Sequence, residues 1–340
     1  MMDAPVRTYN ICLLGFGNVG RAFARLLLNK SAELHDRYAV EARISGVASR
    51  RIGWLVNENG FDAEKLLADD FSGGTKSGFV REWLSRSRPD AMIEISSVNA
   101  QTGQPAIDHI RAALEYGAHA ITANKGALVH GYRALRDLAA ARGKRFLFEA
   151  CVMGGTPVFS LFRETLPATK LLRFRGILNS TTSLILSEME GGNSFDDAVK
   201  KAQALGIAET DPSADVDGWD AAVKAHALAT VLLDAHLHIE DIPREGIRAI
   251  SQEQVRTART SGKKIRLVAR GEKSADRVVA SVSPEEISAE DPLAAVGPTG
   301  LILHFELDTL RNLIVAADRQ GPDTTAYGLL ADFLSAVRAA

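Results

Sequence analysis

Between positions 208 and 224 the chain concentrates acidic side chains ahead of a single lysine. The segment reads A-E-T-D-P-S-A-D-V-D-G-W-D-A-A-V-K, and its five carboxylates are Glu209, Asp211, Asp215, Asp217 and Asp220. Carboxylates accept hydrogen bonds from an ammonium group, and a lysine such as Lys224 exchanges a proton with a reacting oxygen. The residue types therefore indicate a site that holds a cationic group and moves a proton.

The spacing in this segment predicts a helix that begins at Asp217, with that residue as N-cap and Asp220 in the first turn. Asp220 and Lys224 are then one turn apart and lie side by side. Apolar residues continue the same stripe: Ala227, Leu228 and Val231. A lysine at the head of an apolar stripe is partly desolvated, which lowers its pKa and favours proton transfer near neutral pH. Taken alone, the pattern also fits a capped helix with an exposed ion pair.

The composition is that of an ordinary soluble protein with about two domains. Of 340 residues, 46% are hydrophobic and 24% charged, and the net charge is −2. Without a basic excess, binding to nucleic acid or anionic lipid is not expected. Cys12 and Cys151 lie in apolar or small-residue contexts, which favours a reducing compartment. No signal peptide is recognisable and no apolar run approaches the roughly 18 residues of a membrane span, so we expect a cytoplasmic protein.

The first half of the chain alternates strands and helices. Residues 8–14 predict a strand, and the apolar spacing of Val19, Phe23, Leu26 and Leu27 predicts the helix that follows it. Further strands are predicted at 40–48, 91–96, 119–122 and 145–148, and helices at 105–116 and 132–142. This alternation predicts a doubly wound α/β domain with a parallel sheet over residues 1–150.

The second half has longer strands and helices. Strands are predicted at 171–178, 264–270, 277–282, 300–307 and 310–316. Helices are predicted at 156–165, 181–190, 194–204 and 217–233. The pattern indicates an α+β domain over residues 151–320, built on a mostly antiparallel sheet. A last helix at 324–338 is expected to pack back on the first domain.

A glycine-rich turn connects the first predicted strand and helix. It reads G-F-G-N-V-G, which is Gly15, Phe16, Gly17, Asn18, Val19 and Gly20. A strand before and a helix after this motif is the setting of a dinucleotide site, because glycines let the backbone approach the pyrophosphate and the helix N-terminus offers free N–H groups. The alternative is a tight strand-to-helix turn that binds nothing.

The end of the second predicted strand reads Ala48-Ser49-Arg50-Arg51. NAD-binding domains place a carboxylate here, which binds the 2'-hydroxyl of the ribose. Two guanidiniums and a hydroxyl suit a 2'-phosphate instead. The sequence therefore predicts NADP(H) in preference to NAD(H), with a solvated arginine pair as the alternative.

Five motifs, in this order, give the chain its resemblance to a known family. They are G-F-G-N-V-G at 15–20, T-A-N-K-G at 122–126, E-A-C-V-M-G-G-T-P at 149–157, N-S-T-T-S at 179–183 and the acidic segment ending at Lys224. The chain resembles homoserine dehydrogenase over nearly its whole length. The resemblance implies a nucleotide-binding domain followed by a catalytic domain that forms a homodimer. It implies interconversion of L-aspartate 4-semialdehyde and L-homoserine with NAD(P)H, in threonine and methionine biosynthesis.

The resemblance also implies roles for single residues. Lys125 and Lys224 match lysines beside the reacting carbon, and Asp220 matches the carboxylate that works with Lys224. The implied substrate-binding residues are Glu209, Asp215, Asn179 and Thr181. Beyond the glycine turn and the arginines, the implied cofactor contacts are Ser97, Asn99, Thr122 and Lys125. Main-chain oxygens of four residues match a site for Na⁺ or K⁺ in some members: Glu149, Val152, Gly154 and Thr156.

Two phrases depart from the family pattern. Many members have Asn-Gly-Thr-Thr-Asn where this chain has 179–183, which we expect to be a loop beside the substrate. The usual glycine-rich phrase near the C-terminus is sparser at 321–326. The length leaves no room for an appended regulatory domain, so threonine feedback through one is not expected. The substrate could therefore be a different semialdehyde or hydroxy-amino acid.

Other classes of function are weaker readings of the same sequence. A nucleotide-binding sensor without chemistry has no need of two lysines and several acids. The pair His236 and His238 has no third metal ligand at a sensible spacing, so we expect a surface pair at a helix end. A serine hydrolase would need a glycine-elbow motif, which the chain lacks.

Overall fold

The computed structural model describes residues 5–274 and 277–338. This part of the chain folds into two compact units. The first contains the described residues up to Gly155 and those from Gly321 onward, and the second runs from Thr156 to Gln320. None of the described helices combines the length and the apolar character that crossing a membrane requires.

The first unit is built on a seven-stranded sheet. Its strands are β1 Arg7–Leu14, β2 Val40–Ser49, β3 Gly53–Val56, β4 Thr75–Ser77, β5 Ala91–Glu94, β6 His119–Thr122 and β7 Phe146–Leu147. Its helices up to Gly155 are α1 Asn18–Tyr38, α2 Ala63–Leu67, α3 Val80–Ser87, α4 Ala106–Tyr116, α5 Lys125–Ala141 and α6 Ala150–Met153. The strand order is β4-β3-β2-β1-β5-β6-β7, parallel from β2 to β7.

The sheet reverses its winding at β1, which has β2 on one side and β5 on the other. Ligands of doubly wound sheets bind beyond the carboxyl ends of the strands at such a point. The apolar residues of β1 and β5, including Ile11, Leu13 and Ile93, are completely buried, as expected for strands covered on both faces. The predicted α/β class with a parallel sheet is confirmed.

The region 50–90 holds elements that the sequence analysis missed. Strands β3 and β4 pair antiparallel beyond β2, and helices α2 and α3 flank them. They are short, and β4 is largely exposed, so their apolar periodicity is weak. Helix α5 begins at Lys125 rather than at 132, because the Asn124 side chain caps it by accepting a hydrogen bond from the Gly126 N–H (3.1 Å).

The described residues of the second unit form five strands and five α-helices. The strands are β8 Leu171–Ile177, β9 Lys263–Ser274, β10 Arg277–Ser288, β11 Leu301–Leu307 and β12 Arg311–Ala317. The helices are α7 Ser180–Glu190, α8 Phe195–Ala204, α9 Ser213–Val216, α10 Trp219–Leu232 and α11 Gln252–Thr260. The order β10-β9-β8-β11-β12 is antiparallel throughout, so the predicted antiparallel sheet is confirmed.

Two expectations for this unit are wrong. Instead of a helix over 156–165, the structure has helix only from residue 159, with a π-helical turn at Leu161–Thr165. Pro157 disfavours a helical conformation at the residue before it. Helix α11 was missed because only Val255 and Ala258 are buried; a capping box between Ser251 and Gln254 starts it.

The last helix, α12 Pro322–Arg338, belongs to the first unit. Its Phe333 is fully buried in the same apolar cluster as Phe23 of α1 and Ile11 of β1. Polar contacts join it to the end of the parallel sheet, since the buried Asp332 carboxylate accepts a hydrogen bond from the Glu149 N–H (2.7 Å). The C-terminal helix thus completes the core of the nucleotide-side unit.

Candidate active site

A cavity of about 720 Å³ lies at the carboxyl ends of β1, β2 and β5 in the first unit. Eight of the predicted cofactor residues line it: Gly15, Phe16, Gly17, Ser49, Arg50, Arg51, Ser97 and Asn99. The other residues of the turn, Asn18, Val19 and Gly20, form the start of α1. The structure therefore gathers the glycine turn, the arginine pair and the loop after β5 around one space.

The three glycines of the turn have different roles. Gly15 has φ +112°, and a Cβ there would lie 2.3 Å from the Ile95 carbonyl oxygen. A Cβ at Gly20 would lie 2.5 Å from the Gly15 carbonyl oxygen, whereas one at Gly17 would meet nothing within 4 Å. Helix α1 begins at this open side without a side-chain cap or an acidic residue in its first turn. Its first N–H groups therefore suit a pyrophosphate, and the residues present fit a dinucleotide.

We predict that Gly17→Ala separates dinucleotide binding from folding. The added methyl meets no protein atom, so the melting temperature is expected to stay that of the wild type. It enters the space assigned to the pyrophosphate, so the Kd for NADPH, measured by fluorescence titration, is expected to rise about tenfold or more.

Gly297→Ala is the matched control for this variant, because a Cβ there also meets nothing within 4 Å but the residue lies in the other unit. It should change neither quantity. Unaltered NADPH binding by Gly17→Ala would show that the glycine turn does not hold the cofactor.

The end of β2 presents its two arginines differently. The Arg50 guanidinium donates to the Ser97 hydroxyl (3.2 Å), whereas that of Arg51 donates to the Asp69 carboxylate (2.6 Å). The Ser49 hydroxyl accepts a hydrogen bond from the Ile52 N–H (3.3 Å), which closes the turn that carries both. Both guanidiniums therefore lie at the cavity, but only one of them has a carboxylate partner among the described residues.

Two aromatic rings in the cavity wall were not predicted. Trp54 and His109 pack edge to face with ring centroids 5.7 Å apart, and both line the cavity. Burial lowers the pKa of His109, and within the described chain its buried Nδ1 has no hydrogen-bond partner. The sequence signal was absent because Trp54 lies on a short, missed strand and His109 within an ordinary amphipathic helix. An apolar wall with a neutral imidazole suits a flat ring of a ligand.

Glu94, at the end of β5, was also missed, although it is the one acid in the apolar run A-M-I-E-I. Its side chain is completely buried. The carboxylate accepts hydrogen bonds from the Ser96 N–H (3.1 Å) and the Thr122 hydroxyl (3.0 Å). Burial raises the pKa of Glu94, and the hydrogen bonds oppose this effect. The carboxylate thus joins the loop after β5 to the end of β6.

The same network continues to Lys125. The Thr122 hydroxyl accepts a hydrogen bond from the Asn124 N–H (2.9 Å), and Asn124 caps α5, whose first residue is Lys125. The loop that carries Asn99 lies against this helix start, because a Cβ at Gly126 would be 2.8 Å from the Asn99 carbonyl oxygen. The predicted residues Asn99, Thr122 and Lys125 therefore come together in the first unit.

Asn99 differs from expectation in one respect. Its side-chain oxygen accepts hydrogen bonds from the N–H groups of Gln101 (3.1 Å) and Thr102 (3.0 Å). The side chain therefore shapes its own loop as an Asx turn. The groups of Asn99 that can still contact the cofactor are its side-chain amide hydrogens and its main chain.

The four residues predicted to bind a cation are divided between the two units. Glu149, Val152 and Gly154 lie along and beside α6, and Thr156 belongs to the second unit. The Gly154 carbonyl lies against Gly328 of α12, where a Cβ would be 2.7 Å away. Residues 5–274 and 277–338 contain no group of three or more His, Cys, Asp or Glu side chains that could hold a metal. A site made of main-chain oxygens stays a prediction.

In the second unit, Lys224 and Asp220 lie side by side on α10, as their spacing predicts. Their charged atoms are 2.7 Å apart, and only 12% and 16% of the two side chains are exposed. The Lys224 ammonium also donates to the Leu178 carbonyl oxygen (2.6 Å). The alternative of an exposed surface ion pair is therefore wrong.

Asn179 connects this pair to a second acid. Its amide nitrogen donates to Asp215 (2.6 Å) and to Asp220 (3.0 Å), and its oxygen accepts from the Thr182 N–H (2.8 Å) as the cap of α7. Burial, followed by the neighbouring Asp220 charge, raises the pKa of Asp215. The Asn179 cluster, defined as Asn179, Asp215, Asp220 and Lys224, is thus a largely buried polar network near the starts of three helices, α7, α9 and α10.

The segment 179–183 is the cap and first turn of α7, so the expected loop is wrong. The Ser183 side chain is buried, and its hydroxyl donates to the Asn179 carbonyl oxygen (3.0 Å). The Thr181 hydroxyl donates to the Ile207 carbonyl oxygen (3.1 Å). Of the two departures from the family phrase, Ser180 and Ser183, the second is thus turned toward the backbone at the start of α7.

Asp217 does not cap α10, so that prediction is wrong. Gly218 precedes the helix with φ +79°, which ends α9 and starts α10 anew. The Asp217 carboxylate pairs instead with Arg248. The Arg244 guanidinium stacks on Trp219 (3.5 Å to the ring centroid) and donates to the Asp217 carbonyl oxygen (2.8 Å).

The remaining predicted polar residues stay outside the cluster. Glu209 is exposed, and among the described residues no hydrogen bond joins its carboxylate to the Asn179 cluster; its main-chain oxygen accepts from Gln203 (3.2 Å). Asp211 accepts a hydrogen bond from the Ser213 N–H (3.0 Å), and the Ser213 hydroxyl, followed by this N–H, lowers the pKa of Asp211. His236 and His238 are exposed.

Comparison with known proteins assigns both parts of the chain. A family model described as homoserine dehydrogenase matches residues 157–334, and one described as the homoserine dehydrogenase NAD-binding domain matches residues 15–149. The NAD(+)-dependent homoserine dehydrogenase of Pseudomonas canavaninivorans is 35% identical over 336 residues, covering 96% of this chain and 95% of that protein. The chain belongs to the homoserine dehydrogenase family.

Solved structures of the homoserine dehydrogenase family share the fold over both units. A putative homoserine dehydrogenase from Archaeoglobus fulgidus is 32% identical with a TM-score of 0.86, covering 96% of this chain and 98% of that one. A hyperthermophilic archaeal homoserine dehydrogenase in complex with NADPH is 28% identical with a TM-score of 0.82, covering 98% and 99%. As a homoserine dehydrogenase, the protein is an oxidoreductase of amino-acid biosynthesis with a nicotinamide-dinucleotide domain.

Proposed function

We propose that the protein interconverts L-homoserine and L-aspartate 4-semialdehyde. The observation that carries this proposal is the nearly buried Lys224–Asp220 pair, which Asn179 joins to Asp215. An amino-acid alcohol needs a proton acceptor for its hydroxyl and a carboxylate for its ammonium group. The Asn179 cluster offers both kinds of group side by side.

Lys224 is the proton carrier in this proposal. A nicotinamide dinucleotide held by the glycine turn and the residues at the end of β2 would supply the hydride acceptor for the alcohol carbon and, in the reverse direction, the hydride donor for the aldehyde carbon. During oxidation, the uncharged Lys224 amine accepts the hydroxyl proton as the carbonyl bond forms; during reduction, its ammonium returns that proton to the oxygen. Asp220 and the Leu178 carbonyl oxygen fix the direction of Nζ through contacts of 2.7 and 2.6 Å.

Lys125 stabilises the negative charge that develops on the substrate oxygen. It is the first residue of α5, where the positive end of the helix dipole disfavours a cation. The chain from Glu94 through Thr122 to the Asn124 cap fixes the helix start that carries it.

Asp215 receives the ammonium group of the amino-acid substrate, and the resemblance offers the exposed Glu209 as a second acceptor. A half-buried carboxylate whose pKa is raised lacks a full counter-charge. The substrate ammonium supplies that charge, so binding favours the ionised form of Asp215. Thr181 and Asn179 hold the start of α7 beside it.

Burial raises the pKa of Asp215 in the folded protein above its ordinary value. The folded protein therefore loses stability as the pH rises from the ordinary pKa through the raised one, because the buried carboxyl group then ionises. We predict that Asp215→Asn is more stable than the wild type near pH 7. This advantage should disappear below about pH 3, where the carboxyl group is protonated in both the folded and the unfolded state. The same variant should raise the KM for homoserine. Thermal unfolding across pH and steady-state kinetics check the two effects.

Asp211→Asn is a control of opposite sign. A hydrogen bond from Ser213 lowers the pKa of Asp211, so its charge adds stability above its ordinary pKa, which is lost as pH falls. Asp211→Asn should therefore be less stable near neutral pH, with an unaltered KM. Equal behaviour of the two variants would contradict the assignment of Asp215.

We propose NADP(H) as the preferred cofactor over NAD(H). The end of β2 brings Ser49, Arg50 and Arg51 to the cavity without a carboxylate for the 2'-hydroxyl, and guanidiniums match a 2'-phosphate. Among the relatives, one is named NAD(+)-dependent and another was solved with NADPH. The preference therefore rests on the arginines of this chain.

A homodimer formed through the second unit and a cytoplasmic location complete the proposal. The edge strand β12 and the turn before it expose apolar side chains, with Ile314 48% and Leu310 55% exposed, which supports an association at this edge. Cys12 and Cys151 are both buried free thiols, which suits a reducing compartment.

The test of the proposed function is a substrate panel. Purified protein is mixed with NADP⁺ or NAD⁺ and with L-homoserine, D-homoserine, L-serine or L-threonine, and reduction is followed at 340 nm. We expect turnover of L-homoserine, with NADP⁺ favoured. If L-homoserine gave no reduction of NADP⁺ or NAD⁺ while another hydroxy-amino acid did, the substrate assignment would be overturned.

A further inference from the structure

Asp69 joins two arginines beside the nucleotide cavity. It follows α2, and its carboxylate oxygen Oδ1 accepts from Arg21 (2.5 Å) and from Arg51 (2.6 Å). Arg21 extends from α1, where its guanidinium also lies 5.2 Å from the ring centroid of Phe16 in the glycine turn. One carboxylate therefore connects the glycine turn, the arginine pair and the loop after α2.

The two arginines at the end of β2 thus differ in the group that already holds their guanidinium, and so in how readily they can bind a ligand phosphate. Arg50 donates to a neutral hydroxyl, that of Ser97, whereas Arg51 is held by a full negative charge. A 2'-phosphate that recruits Arg51 has to displace or share Asp69. A ribose 2'-hydroxyl carries no charge and has no such conflict.

We propose that Asp69 is a selectivity residue that restrains the preference for NADP(H) by competing with the 2'-phosphate for Arg51. The inference rests on the proposed function only in that the cavity binds a nicotinamide dinucleotide. With Asp69 in place, Arg50 is the main phosphate contact and NAD(H) remains an acceptable ligand. Without the charge of Asp69, Arg51 turns to the phosphate.

Asp69 stays ionised at neutral pH, because its hydrogen bond from Arg21 and then that from Arg51 lower its pKa. Half of its side chain and two thirds of that of Arg51 are exposed, at 50% and 67%. Exposed ion pairs contribute little to folding stability. The pair therefore is removable without loss of the fold, and its main consequence is the orientation and charge of Arg51.

Asparagine is the substitution that isolates the charge. Asp69 has φ +61°, a left-handed conformation that asparagine tolerates and alanine does not. Asp69→Asn therefore keeps the backbone and the shape of the side chain. Asp70→Asn is the matched control, since Asp70 is a neighbouring acid that accepts from the Ser72 N–H (2.9 Å) and makes no ion pair with either arginine.

The test measures Kd for NADPH and NADH by fluorescence titration, without any substrate, in five proteins: wild type, Asp69→Asn, Arg51→Ala, the double variant and the control Asp70→Asn. We expect Asp69→Asn to tighten NADPH by up to about fivefold and to leave NADH within about twofold. In the Arg51→Ala background the same change should have no selective effect. Asp70→Asn should behave as the wild type.

Three results would overturn the proposal: unaltered NADPH affinity in Asp69→Asn, equal tightening of NADPH and NADH, or the same tightening when Arg51 is absent. The last would mean general charge repulsion rather than competition for Arg51. Failure of the proposed function gives a different pattern, since a protein that does not oxidise homoserine can still show this selective change in binding.

Discussion

Lys224→Met is expected to lower kcat for homoserine oxidation by about 10³-fold, within the 10² to 10⁴ range of general acid–base groups. The reason is the loss of the amine that is proposed to exchange a proton with the substrate oxygen. The nucleotide cavity lies in the other unit, so Kd for NADPH should stay within about twofold of the wild type. Initial rates at 340 nm and fluorescence titration measure the two quantities.

Lys224→Arg separates charge from proton transfer. Methionine leaves the Asp220 carboxylate without its cation, which costs stability, whereas arginine keeps a cation but does not release its proton near neutral pH. Both variants should be nearly inactive, with Lys224→Arg closer to the wild type in melting temperature. Lys200→Met, on an exposed lysine of α8, is the matched control and should retain full activity. An active Lys224→Arg would mean that the charge alone suffices.

Lys125→Met is expected to lower kcat/KM for homoserine by about 10² to 10³-fold, the loss typical of one group that stabilises a developing oxyanion. The effect should fall on kcat more than on KM, because the charge on the substrate oxygen develops in the transition state. Steady-state kinetics in both directions measure this split.

Lys65→Met is the control for Lys125→Met, since Lys65 is an exposed lysine of α2 in the same unit. It should leave kcat and KM unaltered. If Lys125→Met raised KM and left kcat intact, Lys125 would bind the substrate in the ground state and not stabilise the transition state.

The sequence predicts well where a feature depends on near neighbours along the chain. The contact between Asp220 and Lys224 follows from their spacing on one helix, and the nucleotide cavity follows from a glycine turn between a strand and a helix. The start of α10 was misplaced, because the left-handed Gly218 outweighs the capping preference of Asp217. Patterns between near neighbours thus predicted most helices and strands and the Asp220–Lys224 pair, but not every residue at which a helix begins.

Contacts between distant segments could not be predicted in the same way. Asn179 is 36 positions from Asp215, and only the packing of α7 against α9, and of α9 against α10, makes it the bridge between two acids. Glu94 looks like a single polar residue in a strand until Thr122, 28 positions later, is placed beside it. Arg51 was predicted to bind phosphate without any account of its carboxylate partner. That partner, Asp69, lies in the region 50–90, whose short helices and strands have only weak apolar periodicity.

Recovery of activity by added amines is the measurement that tests the role of Lys224 most directly. Lys224→Ala removes the amine and leaves room for a small one beside Asp220. We predict that Lys224→Ala alone forms almost no NADPH from L-homoserine and NADP⁺, and that methylamine or ethylamine restores the 340 nm rate in proportion to the concentration of free base. Homoserine oxidation by Lys224→Ala at the wild-type rate, without any amine, would contradict it.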